Sequence, residues 1–241
     1  MALHKTTGIV LHHIKYGDTS IITTIYTEKF GRQAYIIKGA RSRKARLKAN
    51  LFQPLFLLDM EVYYKANREL NTIKEAKNSR PFLDIPFNFT KTPVCLFLAE
   101  ILYKTLKEEE QNQKLFDFIT SSIFYFDEQK NFPANFHLTF LLHLSRFLGF
   151  YPNDNYSESN SYFDLKEGYF ADLKPVHNHY LPKIASYDFH VLLNTDFSDN
   201  VKFSTVEMRQ YLLDKILEFY TYHQERMGDI KSLEILREIF K

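Results

Sequence analysis

Five short runs of β-forming residues dominate the first 80 positions of this 241-residue chain. They are rich in Ile, Val, Tyr, Thr and Leu, and turn strings such as YGDT and EKFG separate them. The runs cover residues 8–14, 20–27, 32–38, 55–64 and 70–76. Short strands at this spacing predict a small closed barrel, and a five-stranded OB-fold barrel is the leading candidate.

Helical periodicity replaces the β pattern in the rest of the chain. Thr92 followed by Pro93 is the expected start of the first helix, and Gly149 is the expected end of the third. Ser204 and Glu207 form a capping box at the start of the fourth. The expected helices cover residues 92–109, 113–128, 133–150, 204–227 and 232–240.

A polar segment without cysteine, residues 153–182, interrupts the helical part. Within it the string YFDLKEGYFAD predicts a short hairpin. The whole pattern predicts an α+β fold with two domains. An OB-fold nucleic-acid-binding domain is expected over residues 1–80, and a mainly helical domain with an irregular or hairpin insertion over residues 81–241.

Charge is divided unevenly between these two parts. Residues 1–80 carry 15 Lys+Arg against 6 Asp+Glu, a balance of +9, whereas residues 81–241 carry 16 against 23, a balance of −7. The string KGARSRKARLK at residues 38–48, named here the basic segment, contains six cations and no acidic residue. A cluster of this kind in a basic barrel indicates contact with a nucleic-acid backbone, although a solvated loop and a nuclear-localisation signal stay open as alternatives. The predicted DNA-binding residues are Lys38, Arg41, Arg43, Lys44, Arg46 and Lys48.

Aromatic side chains of the barrel are candidates for stacking on bases, with the core of the barrel as the alternative location. These candidates are Tyr16, Tyr35, Tyr63 and Tyr64. In the helical part, Arg146 lies among Phe and Leu and would suit an acidic partner peptide. The alternative for Arg146 is a snorkelling side chain or an internal ion pair.

The sequence offers no pattern that predicts catalysis. It has no glycine-rich phosphate loop, nucleophile elbow or spaced carboxylate pair, so neither an enzymatic activity nor a cofactor is expected. His177 and His179 have no cysteine or carboxylate cluster near them in the sequence, and no metal site is predicted. Cys95 lies in an apolar string and is expected to be buried.

Several strings together resemble the bacterial recombination-repair family RecO. In the first part these are GIVLHHIKYGDTSIITTIYTEKFG and YIIKGARSRKARLKANLFQPLFLLDM. Further matches are LAEILYKTL, FHLTFLLHLSRFLGFYP and YTYHQERMGDIKSLEILREIF, so that the resemblance runs over nearly the whole chain. Their order and spacing, more than any single string, identify the family.

The resemblance implies an OB-fold followed by a helical domain, and a non-catalytic role in the RecF pathway of recombination and repair. It implies binding of single- and double-stranded DNA, annealing of complementary strands, and help in loading the recombinase RecA. The implied protein partners are RecR and the C-terminal tail of the single-strand binding protein SSB. A nucleoid-associated, cytoplasmic location is expected, and no run approaches the ~18 apolar residues of a membrane span.

One departure from the family concerns zinc. Many members carry four cysteines after the GF-P string, whereas residues 153–182 here contain none. Zinc is therefore not expected, and apolar packing is expected to hold the hairpin through Tyr162, Phe163, Tyr169 and Phe170. A second functional hypothesis is a protein-interaction module whose basic barrel binds an acidic protein segment.

Overall fold

The computed structural model describes residues 2–66, 68–131, 133–199, 203, 205–225 and 227–239. It confirms the α+β class, with five strands preceding a helical part. Packing divides the chain into two compact units. Unit 1 comprises Met1–Gln129 and Ile230–Leu236, and unit 2 comprises Lys130–Asp229 and Arg237–Lys241. The first two helices thus belong to the same compact unit as the strands.

The five strands of unit 1 form a closed barrel in the order β1-β2-β3-β5-β4. Every neighbouring pair is antiparallel except β3 and β5, which run parallel. Buried and part-exposed residues alternate along β3 and along most of β4, because alternate side chains of a strand point into the barrel. The strands are β1 (Ala2–Tyr16), β2 (Ser20–Thr27), β3 (Gly31–Ile37), β4 (Leu57–Tyr64) and β5 (Asn71–Asn78).

The first strand is much longer than the predicted run at residues 8–14. Its first half pairs with β4 and its second half with β2, so a single strand closes the barrel. The register with β2 shifts between Val10 and His12, a bulge that bends the strand where it changes partners. The apolar side chains inside are Val10, Ile21, Ile25, Tyr35, Ile37, Ala40, Phe52, Leu58, Met60 and Val62.

Two helices, α1 (Lys91–Thr105) and α2 (Gln113–Glu128), complete most of unit 1. The N-cap of α1 is Thr90, so the predicted cap at Thr92 is wrong by two residues. The helix also ends before the predicted residue 109. Arg32 of the barrel explains this end, because its Nη1 donates to the carbonyls of Tyr103 and Leu106 at 2.6 Å.

The chain after α1 passes close to the turn between β2 and β3. The Arg32 amide donates to the carbonyl of Glu108 at 2.9 Å. At Gly31, φ is +57°, and an added Cβ would lie only 2.4 Å from the carbonyl oxygen of Glu110. Glycine is therefore required here both by backbone conformation and by the close approach of a second backbone.

A buried cation and a buried carboxylate connect the ends of these helices. Lys91 has a fully buried side chain, and its Nζ donates to the carbonyls of Asp127 and Gln129 at 2.8 and 2.7 Å. It also lies 2.8 Å from a carboxylate oxygen of Asp84. The carboxylate of Asp127 accepts backbone N–H groups of residues 83–85 at 2.7–3.0 Å. These contacts fix the crossing from the barrel to α1.

Unit 2 is built from helices around a small three-stranded sheet. Its helices are α3 (Phe136–Phe147), α4 (Lys183–Leu193) and α5 (Val206–His223). The predicted hairpin is confirmed as β6 (Tyr162–Asp164) and β7 (Tyr169–Ala171), and β8 (Tyr180–Leu181) adds a third strand. The last helix, α6 (Ser232–Ile239), has residues in both units.

Helix ends in unit 2 follow local signals. After α3, Gly149 adopts φ +83° and the Phe150 amide donates to the carbonyl of Ser145 at 3.1 Å, as in a Schellman cap. The N-cap of α5 is Thr205, whose side chain accepts from the Met208 amide. The predicted cap Ser204 lies outside the described residues. The sequence analysis predicted no helix at the residues that form α4.

Phenylalanine packing holds the small sheet in place. Phe163 and Phe170 are buried, with ring centroids 4.9 Å apart, and Phe189 of α4 lies 4.5 Å from Phe163. Tyr162 and Tyr169 are part-exposed and exposed, respectively, so only the two phenylalanines act as predicted. Cys95, as predicted, is buried, and desolvation raises the pKa of its thiol.

Candidate nucleic-acid interface

The basic segment forms the connection between β3 and β4, where the sequence predicted it. Its apolar residues hold it to the barrel. Ala40 and Phe52 belong to the barrel core, and Leu47, Ala49 and Leu51 pack against that core. A 3-10 helix, Ala49–Phe52, follows and returns the chain towards β4. Because these residues point inward, the cations between them are directed outward.

All six predicted DNA-binding side chains are exposed. Arg46 pairs with Glu75 of β5, although both side chains remain more than half exposed. Arg41 donates to the carbonyls of Gly17 and Asp18 in the turn between β1 and β2, and it keeps its charge free of carboxylates. Within the described ranges, the other four cations form no ion pair. The segment thus presents five cations that the protein's own described carboxylates do not neutralise.

Two residues at the end of the β1–β2 hairpin extend this surface: Tyr16, a predicted stacking candidate, and Lys15, which was not predicted. The Arg41 amide donates to the carbonyl of Thr19 at 2.8 Å, which places the end of the β1–β2 hairpin beside the basic segment. Tyr16 at that end is 51% exposed, and Lys15 is exposed next to it. The cross-strand register could have revealed this neighbourhood, because it brings residues from three strands to one end of the barrel.

An apolar row lies on the outer face of the same strands. Ile14 of β1 pairs with Ile22 of β2, which pairs in turn with Ile36 of β3. Ile14 is 49% exposed and the other two are part-exposed. Tyr16 follows Ile14 on the same outer face, since residues two apart in a strand point the same way. Cations, one exposed aromatic ring and an apolar row therefore adjoin one another.

The proposed stacking residues separate into two groups. Tyr35 is fully buried inside the barrel, so stacking on a base is excluded for it. Tyr64 is part-buried and stacks on Phe30 at 4.0 Å between ring centroids. Tyr16 and Tyr63 are 51% and 37% exposed and keep accessible rings.

Arg146 lies at the end of α3 in unit 2 and is exposed. Its guanidinium carbon is 4.1 Å from the centroid of the Tyr151 ring, and Nη2 donates to the Tyr151 hydroxyl at 2.7 Å. That hydroxyl donates in turn to the carbonyl of Leu193 at the end of α4. No carboxylate partner of Arg146 occurs in the described part of the chain, so the cation is positioned but not neutralised.

The residues of the small sheet do not fit the zinc site that many family members carry. His177 contacts Asp164 at 3.1 Å, and His179 contacts Glu218 at 2.6 Å. Burial tends to raise the pKa of Glu218, but hydrogen bonds from Lys215 and His179 outweigh it and lower the pKa. Across the described residues, no three His, Cys, Asp or Glu side chains are grouped as metal ligands.

The helices in the described part of the chain lack the combination of length and hydropathy that a membrane span requires.

The fold and its charges define a class: a small closed β-barrel with an exposed basic loop, followed by a helical part. Comparison with known proteins identifies the family. The family model for the N-terminal part of recombination protein O matches residues 1–82, and the model for its C-terminal part matches residues 86–234. The chain belongs to the RecO family of DNA repair proteins.

Three similar proteins support this assignment over almost their whole length. The DNA repair protein RecO of Bacteroides fragilis is 40% identical over 240 residues, covering 99% of both chains. The RecO protein of Phocaeicola vulgatus is 37% identical over 239 residues, also covering 99% of both. That of Flavobacterium psychrophilum is 34% identical over 239 residues, covering 98% of both.

Proposed function

We propose that this protein is a non-catalytic mediator of DNA repair that binds single- and double-stranded DNA through the basic segment. The observation that carries this proposal is the exposure of six cations on one anchored loop, of which Arg46 alone is paired to a carboxylate of the described residues. Such a loop matches the charge of a phosphate backbone, and the family is one of DNA repair proteins. We place this activity in residues 1–80, the predicted nucleic-acid-binding domain.

We assign the barrel to the OB-fold. The strand order β1-β2-β3-β5-β4, with a parallel contact between β3 and β5, supports this assignment. OB-folds bind oligonucleotides on the face of strands 2 and 3 and on adjoining loops. The apolar row of Ile14, Ile22 and Ile36, together with Tyr16, lies on that side, beside the basic segment. In this proposal, the cations bind phosphates and Tyr16 stacks on a base.

Strand annealing then requires no bond chemistry. Two DNA strands repel each other, and a cationic surface lowers that repulsion and keeps the strands within reach, so that complementary bases can pair. Because phosphates carry no sequence information, the same surface serves any pair of complementary strands.

The implied protein partners follow from the family resemblance. We propose that the protein acts with RecR and with the SSB C-terminal tail, and that it helps load RecA. Arg146 is our candidate for contact with an acidic tail. Its exposed guanidinium is held against Tyr151 and has no carboxylate partner among the described residues, which supports this choice.

The test compares two triple variants of the full chain. Arg43→Gln/Lys44→Gln/Lys48→Gln removes three cations of the basic segment. Lys5→Gln/Lys29→Gln/Lys77→Gln removes three exposed cations around a different hollow of the same barrel, and so matches the change in net charge. Binding of a single-stranded oligonucleotide is measured by fluorescence anisotropy over a salt series.

With about six phosphates contacted, the slope of log K against log salt should be about −4 for the unmodified protein. The basic-segment variant should show a slope of about −2, whereas the control should keep a slope of about −4. Equal losses in both variants would contradict a role specific to the segment. Absence of DNA binding by the unmodified protein would favour the alternative, a barrel that binds an acidic protein segment.

A further inference from the structure

Unit 2 carries a second group of cations, each lying against an aromatic ring. The distances between the lysine Nζ and the ring centroid are 5.4–5.7 Å, within the range of a cation–π contact. We call the eight residues the lysine–tyrosine surface. The pairs are Lys166–Tyr222, Lys174–Tyr180, Lys183–Tyr162 and Lys215–Tyr211.

Strands β6 and β8 supply the first part of this surface. The rings of Tyr162 and Tyr180 pack edge to face with centroids 6.1 Å apart, on the face of the sheet opposite the buried Phe163. A hydrogen bond with Tyr180 raises the pKa of Lys174. Lys183 begins α4 and lies against Tyr162.

Helix α5 supplies the second part. Tyr211, Lys215, Glu218 and Tyr222 follow one another at intervals of four, three and four residues, so they share one face of the helix. Tyr222 lies 5.3 Å from the ring of His179, the residue preceding Tyr180. Tyr211 lies close enough to Tyr180 for the two hydroxyl groups to interact electrostatically, so the helix rings adjoin the strand rings.

Two carboxylates beside this surface, Glu218 and Asp164, are already paired. Glu218 contacts Lys215 at 2.8 Å and His179 at 2.6 Å, and Asp164 contacts His177 at 3.1 Å. The three remaining lysines have no carboxylate partner in the part of the chain that the structure describes. Those are Lys166, Lys174 and Lys183, and all three are exposed.

We propose that the lysine–tyrosine surface binds single-stranded DNA, with the tyrosines stacking on bases and the lysines pairing with phosphates. Surfaces that bind single strands combine positive charge with aromatic rings in this way. A duplex would contact the lysines alone, because its bases are stacked inside the helix. This inference rests on the proposed function and extends it: the basic segment holds one strand and the lysine–tyrosine surface holds a second.

Two variants of the full chain, with the basic segment intact, test the inference. Tyr162→Leu/Tyr180→Leu removes two rings, and Lys174→Gln/Lys183→Gln removes two cations. The controls are Tyr169→Leu/Tyr187→Leu, two exposed tyrosines of unit 2, and Lys114→Gln/Lys130→Gln, two exposed lysines outside the surface. Thermal unfolding followed by circular dichroism verifies that each variant is folded.

Binding of one labelled strand and annealing of two complementary strands are measured separately. The tyrosine variant should slow annealing at least about tenfold, since stacking on each of its two rings contributes about that factor. The lysine variant should also slow annealing, through lost phosphate contacts, and in both variants the affinity for the first strand should change less than about threefold. The controls should anneal at the unmodified rate. Duplex binding should be unaffected by the tyrosine substitutions.

Photocrosslinking of the unmodified protein to an oligonucleotide containing 5-iodouracil provides a readout that needs no variant. Crosslinks should map to peptides containing Tyr162, Tyr180, Tyr211 or Tyr222. Unchanged annealing in both test variants, with crosslinks confined to the barrel, would overturn the inference and leave the proposed function intact. Loss of annealing with the lysine variant alone would also overturn it, in favour of a duplex or an acidic protein as the ligand. Failure of the unmodified protein to bind single strands would instead reject the proposed function itself.

Discussion

Replacing Lys91 by Met is expected to destabilise unit 1 through loss of a buried cation. Methionine has a similar volume and flexibility, so little of the effect should come from a cavity. What is lost is a donor to two carbonyls and the ion pair with Asp84. Removing one partner of a buried ion pair typically costs about 3–5 kcal/mol.

The exposure of Asp84 lowers the loss of stability expected for Lys91→Met. The Asp84 side chain is 44% exposed, so water can solvate its carboxylate after the substitution. The carbonyl of Asp127 is in a buried hydrogen bond and gains no such compensation. Leaving one or two acceptors unsatisfied costs about 1–3 kcal/mol each, so we expect a loss of about 3 kcal/mol in the free energy of unfolding.

The assay is urea unfolding at pH 7, followed by circular dichroism. Lys104→Met is the control, because Lys104 is less buried and lies 3.8 Å from Glu100; a change below about 1 kcal/mol is expected for it. A Lys91→Met protein within about 1 kcal/mol of the unmodified one would refute the reasoning.

The same variant should change the acid sensitivity. Hydrogen bonds from Lys91 and Asn88 lower the pKa of Asp84. A carboxyl with a lowered pKa in the folded state stabilises the protein above its unfolded pKa of about 3.9, and this stabilisation is lost as pH falls through the folded value. Asp84 should therefore contribute less to the fall in the free energy of unfolding below about pH 4 when Lys91 is replaced.

Two further predictions concern a close backbone approach and a buried histidine. Gly31→Ala should destabilise by about 3 kcal/mol or more in urea unfolding, because its Cβ would lie 2.4 and 2.6 Å from carbonyl oxygens of Glu110 and Glu108. Gly17→Ala shares the positive φ but meets nothing within 4 Å, so it should cost only about 1–2 kcal/mol, and equal losses would contradict the role of the clash. Burial lowers the pKa of His137 to about 3, so the unfolded chain binds a proton there that the folded chain does not, and stability from this residue falls by about 2 kcal/mol between pH 7 and 5. Urea unfolding of His137→Leu should lack this part of the pH dependence, and an unchanged dependence would show that the residue is not its source.

Elements governed by local signals could be predicted closely. The strand at residues 20–27 and the helix at residues 113–128 have the predicted bounds. In the helix the reason is visible, since Asn112 accepts from the Leu115 amide at 3.0 Å and the apolar positions recur at helical spacing. Neither signal depends on a distant part of the chain.

Elements shaped by distant residues could not be predicted. The first strand continues to Ala2 because its first half pairs with β4, more than 50 residues away in sequence. Helix α1 ends early because Arg32 of β3 donates to a carbonyl near its end. Asp127 accepts from backbone amides that lie 42–44 residues before it. No single-sequence pattern encodes partners at such separations.

The candidate sites show the same division. The basic segment could be recognised in the sequence because its six cations lie within residues 38–48. The lysine–tyrosine surface could not, because its four pairs join residues spread from 162 to 222. The Lys166–Tyr222 pair, for example, spans 56 residues. The aromatic candidates of the barrel were a mixture of core and surface, because alternation alone does not say which face of a strand is inside.

In our proposal, the two surfaces differ in the part of a strand that they mainly contact, and this difference suits annealing. The basic segment would contact mainly phosphates and leave all bases except the one on Tyr16 free to pair, so a strand held there would remain competent. Stacking on Tyr162 and Tyr180 occupies bases, so a strand held by the lysine–tyrosine surface must leave the rings before it can pair. Proposed in this way, one surface retains a strand and the other delivers it.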